Sequence, residues 1–132
     1  MQRSSTISMA TGVFILSANL WAEPRSKNGS HDKATKVTSE ISYLLSEIKK
    51  SPCRLNRNGT LYSAIESEKY IRRHYQSARD SIKSAEQFIA HSATRSSLSG
   101  KPYMLICPHS KPRLTSTWLF RLLTLRRSSQ SQ

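Results

Sequence analysis

The feature that most constrains how this chain can fold is its pair of cysteines, Cys53 and Cys107. Joined, they close a loop of about 54 residues and stabilise the folded state by about 4 kcal/mol in the chain-entropy account. Whether they join depends on compartment, because disulfides persist outside the reducing cytosol. The start of the chain bears on that. Met1-Gln2-Arg3 is a short positive start, Ile7 to Trp21 is largely apolar with small residues at Ala10, Gly12 and Ala18, and Leu20-Trp21-Ala22 ends on a small residue before Glu23-Pro24. That order of charged, apolar and small-residue regions is a secretory signal peptide over residues 1–22. A buried N-terminal helix is the alternative. Ser8, Thr11, Ser17 and Asn19 interrupt the stretch, so it falls short of a spanning helix, which needs about 20 mostly apolar residues. No later segment is apolar enough to span a membrane. An even cysteine pair in an exported chain reads as a disulfide. The other readings are two separate thiols or a metal site. Cys107-Pro108-His109 offers two ligand types, but Cys53 has no neighbouring Cys or His, and structural zinc wants four clustered ligands.

Length allows one domain among the 132 residues, and a domain this small leaves so much surface uncovered that a covalent staple helps it. The chain carries 21 Lys and Arg against 8 Asp and Glu, a formal charge of +13. Removing residues 1–22 takes only Arg3 from that balance, one unit, and leaves +12. Such a charge attracts polyanions. In an exported protein the expected partners are anionic envelope components, such as lipid phosphates and acidic glycans, or acidic proteins, rather than nucleic acid.

Residues 23–36 are polar and read as a mobile leader. Val37, Ile41, Leu44, Leu45 and Ile48 then fall on one side of a helix that Ser51-Pro52 stops. Two short extended runs flank Arg57-Asn58-Gly59, and Asn-Gly is the strongest two-residue hairpin signal because both turn positions need positive φ. Ser63 with Glu66 three places on makes a capping box. From there Ile71, Tyr75, Ala78, Ile82, Ala85 and Ile89 form a seam that predicts one long central helix, with Lys69, Arg72, Arg73, Arg79 and Lys83 on its opposite side. Lys101 to Cys107 reads as a strand with apolar residues on both faces, hence a central one. After a loop from Pro108 to Arg113, Ser116 caps a last helix with Trp118, Leu119, Leu122 and Leu125, and with Arg121, Arg126 and Arg127. Residues 128–132 read as a flexible tail. The expected architecture is α+β over residues 37–127: a short β-hairpin and one later strand in a small antiparallel sheet, packed by an N-terminal helix, a long central helix and a C-terminal helix. If that strand joins the hairpin, Cys53 and Cys107 lie on neighbouring strands.

Chemistry-bearing motifs are sparse. Ser99-Gly100-Lys101 has the look of a phosphate-binding loop, but Arg95 stands where the earlier Gly belongs and Pro102 where a Ser or Thr would hold magnesium. His31, His74, His91 and His109 sit in no nucleophile or metal spacing, and no cofactor or metal is expected. Enzyme status stays open and leans to no. A run of cations on an exposed helix face is ordinarily solvation. The Trp118 to Leu123 stretch reads as a core helix, with an interfacial helix on anionic lipid as the second reading.

Four pieces in order carry a family resemblance: Cys53 with Arg57-Asn58-Gly59, then Ala85-Glu86-Gln87-Phe88-Ile89, then Ser96-Ser97-Leu98-Ser99-Gly100-Lys101-Pro102-Tyr103, then Trp118-Leu119. From about Glu40 to Leu119 the chain resembles a small exported bacterial family known only as domain of unknown function five-three-two-nine. Asn56 stands where its members tend to carry an aromatic or aliphatic residue, and Tyr70-Ile71 where they tend to carry His-Leu. The resemblance implies a periplasmic helix-and-hairpin domain and no activity. It singles out Arg57, Asn58, Gly59, Glu86, Ser99, Gly100, Lys101 and Tyr103 as a binding or structural motif, with Glu86 expected to meet the backbone amides of the loop or Arg57. The function expected is that of a non-enzymatic periplasmic binding or accessory domain with a basic surface for an anionic envelope component or acidic protein. The alternatives are a small envelope enzyme using Glu86 or a helix histidine, and a structural partner docking through its C-terminal helix.

Overall fold

The structure is a computed structural model, and it describes residues 28–132. The signal peptide expected at 1–22 and the first part of the leader, 23–27, lie outside the described residues. Helix α1 runs from Asn28 to Lys50. It starts well before Val37, so residues 28–36 of the expected leader are helical. Residues 29–36 are all exposed. An exposed stretch of helix has no apolar stripe to betray it, and no proline lies between Pro24 and Pro52 to forbid one. From Ile41 onward the apolar side is buried through Ile41, Leu44, Leu45 and Ile48. The helix stops at Ser51-Pro52, where the Ser51 N–H donates to Ile48 O at 3.3 Å and Ser51 Oγ accepts from Cys53 N at 3.0 Å.

Strands β1 (Arg54–Arg57) and β2 (Thr60–Tyr62) form the expected hairpin. Asn58 and Gly59 both have positive φ, 57° and 89°, as the tight turn demands. Strand β3 (Met104–Ile106) pairs antiparallel with β1, and a two-residue strand β4 (Arg113–Leu114) pairs with β3. The order β2-β1-β3-β4 puts β3 inside the sheet, as its two apolar faces imply. β4 ends a segment read as loop; two residues are too few for any alternation to show.

The seam from Ile71 to Ile89 is buried or half-buried as expected, yet it belongs to two helices instead of one. Helix α2 (Ala64–Ser77) ends at Ala78, a 3₁₀ turn covers Arg79–Ser81, and helix α3 (Ala85–Ser92) starts afresh. The break has local causes. Ser77 and Ser81 donate to the His74 and Ala78 carbonyls, and Ser84 Oγ accepts from the Gln87 N–H at 3.1 Å while Gln87 Oε1 accepts from the Lys83 N–H at 2.6 Å. Ser84-x-x-Gln87 is thus a second helix start lying inside a seam whose spacing happens to continue across it. Ser63 and Glu66 make the expected capping box on α2.

Helix α4 spans Thr115–Gln130, one residue ahead of the expected Ser116 cap and through most of the expected tail, with Leu114 in the cap position and no side-chain cap. It buries Leu119 and Leu123, with Trp118 and Leu122 packed beside them. The core joins the apolar sides of α1, α2, α3 and α4 to Leu55 of β1 and to Tyr103 just before β3. Residues Ala34 to Gln132 form one unit. Among the described residues no helix is long and apolar enough to cross a membrane.

Candidate functional site

The register of β1 on β3, Arg54 opposite Ile106, makes Cys53 and Cys107 the next facing pair. Their Cα atoms are 4.2 Å apart and their sulfurs are bonded. The bond ties the entry of β1 to the exit of β3. It encloses the hairpin, α2 and α3 in one covalent loop.

The motif residues beside the hairpin are engaged with one another. Asn58 Nδ2 donates to Ser96 Oγ at 3.0 Å, and Ser99 Oγ donates to Asn58 Oδ1. Ser96 Oγ also accepts from the Leu98 and Ser99 N–H groups, Ser99 Oγ accepts from the Lys101 N–H, and the Gly100 N–H donates to Ser96 O. Gly100 has φ 73°, the left-handed conformation that glycine adopts without strain. The loop's polar groups are consumed in fastening the turn to the 96–101 loop. This explains the Ser-Gly-Lys pattern without a phosphate.

Glu86 goes elsewhere than expected. It meets neither Arg57 nor the loop amides. Its carboxylate accepts from Arg127 Nη1 at 2.8 Å and Nη2 at 3.1 Å, and Glu40 accepts from Arg127 Nε at 2.7 Å and Nη2 at 3.0 Å. One guanidinium thus ties α1, α3 and α4 together. Glu40 is nearly fully buried, its side chain 4% exposed. Its carboxyl is held below the usual carboxylate value chiefly by the Arg127 hydrogen bonds, against the opposing effect of burial; Glu86 is held low in the same way, and Arg127 is pushed up in return. Arg127 is therefore a structural tie and leaves the expected basic surface. Arg126 also turns inward, its guanidinium 4.5 Å over the Tyr43 ring and donating to Ser39 Oγ. Arg72 is paired with Glu68. The break in the helix divides the remaining cations, with Lys69 and Arg73 on α2, Arg79 on the 3₁₀ turn and Lys83 in the link to α3. Arg121 is exposed on α4.

Arg57 has a different setting. It shares a face of β1 with buried Leu55 and lies diagonal to Tyr62, since Arg57 faces Thr60 in the register. Its guanidinium carbon stands 4.3 Å from the Tyr62 ring centre and 3.4 Å from that of Tyr70 on α2. The column continues past Tyr70. Tyr70 stacks on His74 at 5.8 Å and His74 on His91 of α3 at 5.1 Å, while buried Tyr103 crosses Tyr70 edge-on and their hydroxyls lie 3.3 Å apart. Burial, then His91 and Arg57, depress His74 below its usual 6.5. Burial and the Tyr70 hydroxyl raise Tyr103. Around the outer end, Arg57, Tyr62, Glu66, Lys69, Tyr70 and Arg73 line an open cleft of about 250 Å³. Positions 66, 69, 70 and 73 are three and four apart, so they share one side of α2. Among the described residues, Arg57, Lys69 and Arg73 have no carboxylate within 4.0 Å, and no protein group accepts from Arg57. Glu66 is taken up by its cap, accepting from the Ser63 N–H at 2.9 Å.

Of the residues singled out in sequence, the structure brings Arg57, Lys69 and Arg73 together, with Tyr103 behind them, and sends Asn58, Ser99 and Gly100 to the loop lock and Glu86 to Arg127. Sequence reading missed Tyr62, Tyr70 and the two stacked histidines. The one available signal was the exposed side of α2, where an aromatic residue interleaves the cations. Among the described residues no group of three or more His, Cys, Asp or Glu is placed to hold a metal ion. No curated protein and no solved structure matches the chain. The model of a family of unknown function, DUF5329, matches residues 35–127, which takes in the disulfide, the loop lock, the cleft and the Arg127 tie, and the chain belongs to that family.

Proposed function

We propose that this protein is an exported, non-enzymatic binding or accessory domain that takes an anionic group of an envelope component, or of an acidic protein, in the cleft at Arg57. The observation that carries this reading is the state of Arg57 itself. The Tyr62 and Tyr70 ring centres lie 4.3 and 3.4 Å from its guanidinium carbon, and such contacts restrict the guanidinium and lower the entropy lost on binding. Its N–H edge is unclaimed by any described protein group, and that edge is the part that recognises carboxylate and phosphate. Lys69 and Arg73 add charge beside it that Glu66 offsets only in part. The signal-like residues 1–22 and the cysteine pair support a periplasmic site of action.

Sedimentation of the processed protein with vesicles tests this. Phosphatidylglycerol vesicles are expected to bind it at low salt and to release it between about 0.02 and 0.2 M salt, where the screening length shrinks to about 10 Å and below. Phosphatidylcholine vesicles are expected to leave it in solution, and Arg57→Gln to weaken the anionic binding. Equal binding to both vesicle types, or an Arg57→Gln protein that binds unchanged, refutes the reading. A second reading has its own observation. Phe120 and Leu125 on α4 are 41% and 54% exposed, as a helix docking on another protein would present them, and such docking would survive the salt series.

A further inference from the structure

We infer that the group held in the Arg57 cleft is a phosphate monoester rather than a carboxylate. This rests on the reading of the cleft as an anion site and narrows its ligand. The argument is one of charge and of oxygen count. Three cations, Arg57, Lys69 and Arg73, line the cleft with one acid, Glu66. Glu66 is fixed in the capping box through Ser63, so its charge stays where it is and the cleft keeps a surplus of two positive charges. A phosphomonoester at neutral pH carries about −1.5 to −2 and presents three strong acceptor oxygens. Those oxygens can meet the Arg57 fork and the two cations of α2 together. A carboxylate has two oxygens and one charge. The Arg57 fork satisfies both oxygens and leaves Lys69 and Arg73 without a partner.

The shape of the site agrees. With the Tyr62 and Tyr70 rings against the Arg57 guanidinium, its unclaimed N–H donors are the part that meets the ligand. The cleft is open rather than enclosed, so it suits a terminal group borne by a larger body, and the half-buried Tyr62 ring beside it offers an apolar wall to whatever bears the phosphate. The 96–101 loop contributes nothing to the ligand. The Ser96 and Ser99 hydroxyls and the Leu98, Ser99, Gly100 and Lys101 amides are already bonded within the lock to Asn58.

Calorimetric titration of the processed protein with glycerol 3-phosphate and with succinate, a dianion of two separated carboxylates, tests the inference at matched charge. Glycerol 3-phosphate is expected to bind about ten-fold more tightly, the worth of one charge-assisted hydrogen bond. Arg57→Lys keeps the charge but loses the fork, and is expected to lose about ten-fold for glycerol 3-phosphate; circular dichroism and the melting temperature establish that the variant is folded. Lys69→Gln with Arg73→Gln is expected to abolish the preference over succinate. Succinate binding as tightly as glycerol 3-phosphate, or a folded Arg57→Lys protein with unchanged affinity, overturns the inference. Phosphatidylcholine vesicles carrying phosphatidic acid identify the source of the group. Release by free glycerol 3-phosphate assigns it to a soluble phosphate, and binding that resists this competitor assigns it to a lipid headgroup. Either result supports phosphomonoester recognition. Binding to phosphatidylglycerol that depends on Arg57, with no binding of either phosphomonoester, overturns this inference and leaves the broader anion-site reading standing.

Discussion

Replacing Arg127 by Met removes the tie between α1, α3 and α4 while keeping an unbranched apolar stem along α4. Glu40 then remains in place with its side chain 4% exposed and its partner gone. Breaking a buried ion pair from one side costs about 3–5 kcal/mol, because the surviving charge is left desolvated. Here Arg127 is 38% exposed and Glu86 46% exposed, so water recovers part of that, and about 2–3 kcal/mol is expected. The assay is urea unfolding, read as a fall in midpoint at constant slope. A double-mutant cycle sharpens it. Glu40→Gln removes the stranded charge, so Arg127→Met should cost about 1–2 kcal/mol less in the Glu40→Gln background. The pH dependence gives an independent check. Glu40 is held below its ordinary 4.5, first by the hydrogen bonds from Arg127. A carboxyl lowered on folding stabilises fully above its unfolded value and loses that contribution as pH falls through the lower folded value. Native stability should therefore drop below about pH 4.5, and the Arg127→Met protein, in which the hydrogen bonds that oppose burial at Glu40 are gone, should show a shallower drop. A cost under about 0.5 kcal/mol, or no relief from Glu40→Gln, refutes the claim that Arg127 answers a buried charge.

Two further outcomes follow from other parts of the fold. Reducing the Cys53–Cys107 bond should cost about 4 kcal/mol, which in a domain of this size lowers the melting temperature by about 15–30 °C; a scan with and without reductant checks it, and a shift below about 5 °C refutes it. His74 is held below its usual 6.5, first by burial and then by His91 and Arg57. The folded protein therefore resists a proton that the unfolded chain accepts, and stability should begin to fall as pH drops below about 6.5, above the window of the carboxyls. His74→Phe should keep the stack and flatten the profile between about pH 6.5 and 5; an unchanged profile assigns the acid sensitivity elsewhere.

Fold class was legible because each signal in it was local or periodic. Asn58-Gly59 marks a turn by its need for positive φ, the apolar alternation on both sides of Leu105 marks an inner strand, and the cysteines mark which strands are neighbours once the hairpin is placed. The misreadings share a cause. The seam from Ile71 to Ile89 continues in phase across the 3₁₀ turn because both helices bury the same side, so periodicity could not report the break. Ser84 and Gln87 could have, as a second start signal. The helical start at residues 28–36 gives no periodic signal, because a solvated helix has no buried stripe. The site was legible only in part. Arg57 stood out by its place in a motif, but its setting depends on Tyr62 across a hairpin and Tyr70 on the next helix, and no spacing rule links a strand residue to rings on two other elements. The fate of Glu86 was equally out of reach, since Arg127 lies 41 residues further on.

The contrast between two arginines then separates scaffold from site. Arg127 has its charge answered by Glu40 and Glu86, so its donors are used up in joining three helices. Arg57 has the Tyr62 and Tyr70 rings against its guanidinium and, among the described residues, no carboxylate within 4.0 Å and no protein acceptor for its donors. The chain has few acids, 8 in all, and the structure shows where the helical glutamates go: Glu40 and Glu86 to Arg127, Glu68 to Arg72, Glu47 to Lys50, and Glu66 to the cap at Ser63. Of these glutamates Glu66 alone lines the cleft with Arg57, Lys69 and Arg73, and its cap holds it. A basic surface made only of solvated cations needs no aromatic clamp, because water alone satisfies a flexible side chain. Fixing Arg57 between two rings has an entropy cost that solubility does not require. It becomes useful when something outside the chain must find that guanidinium already in place.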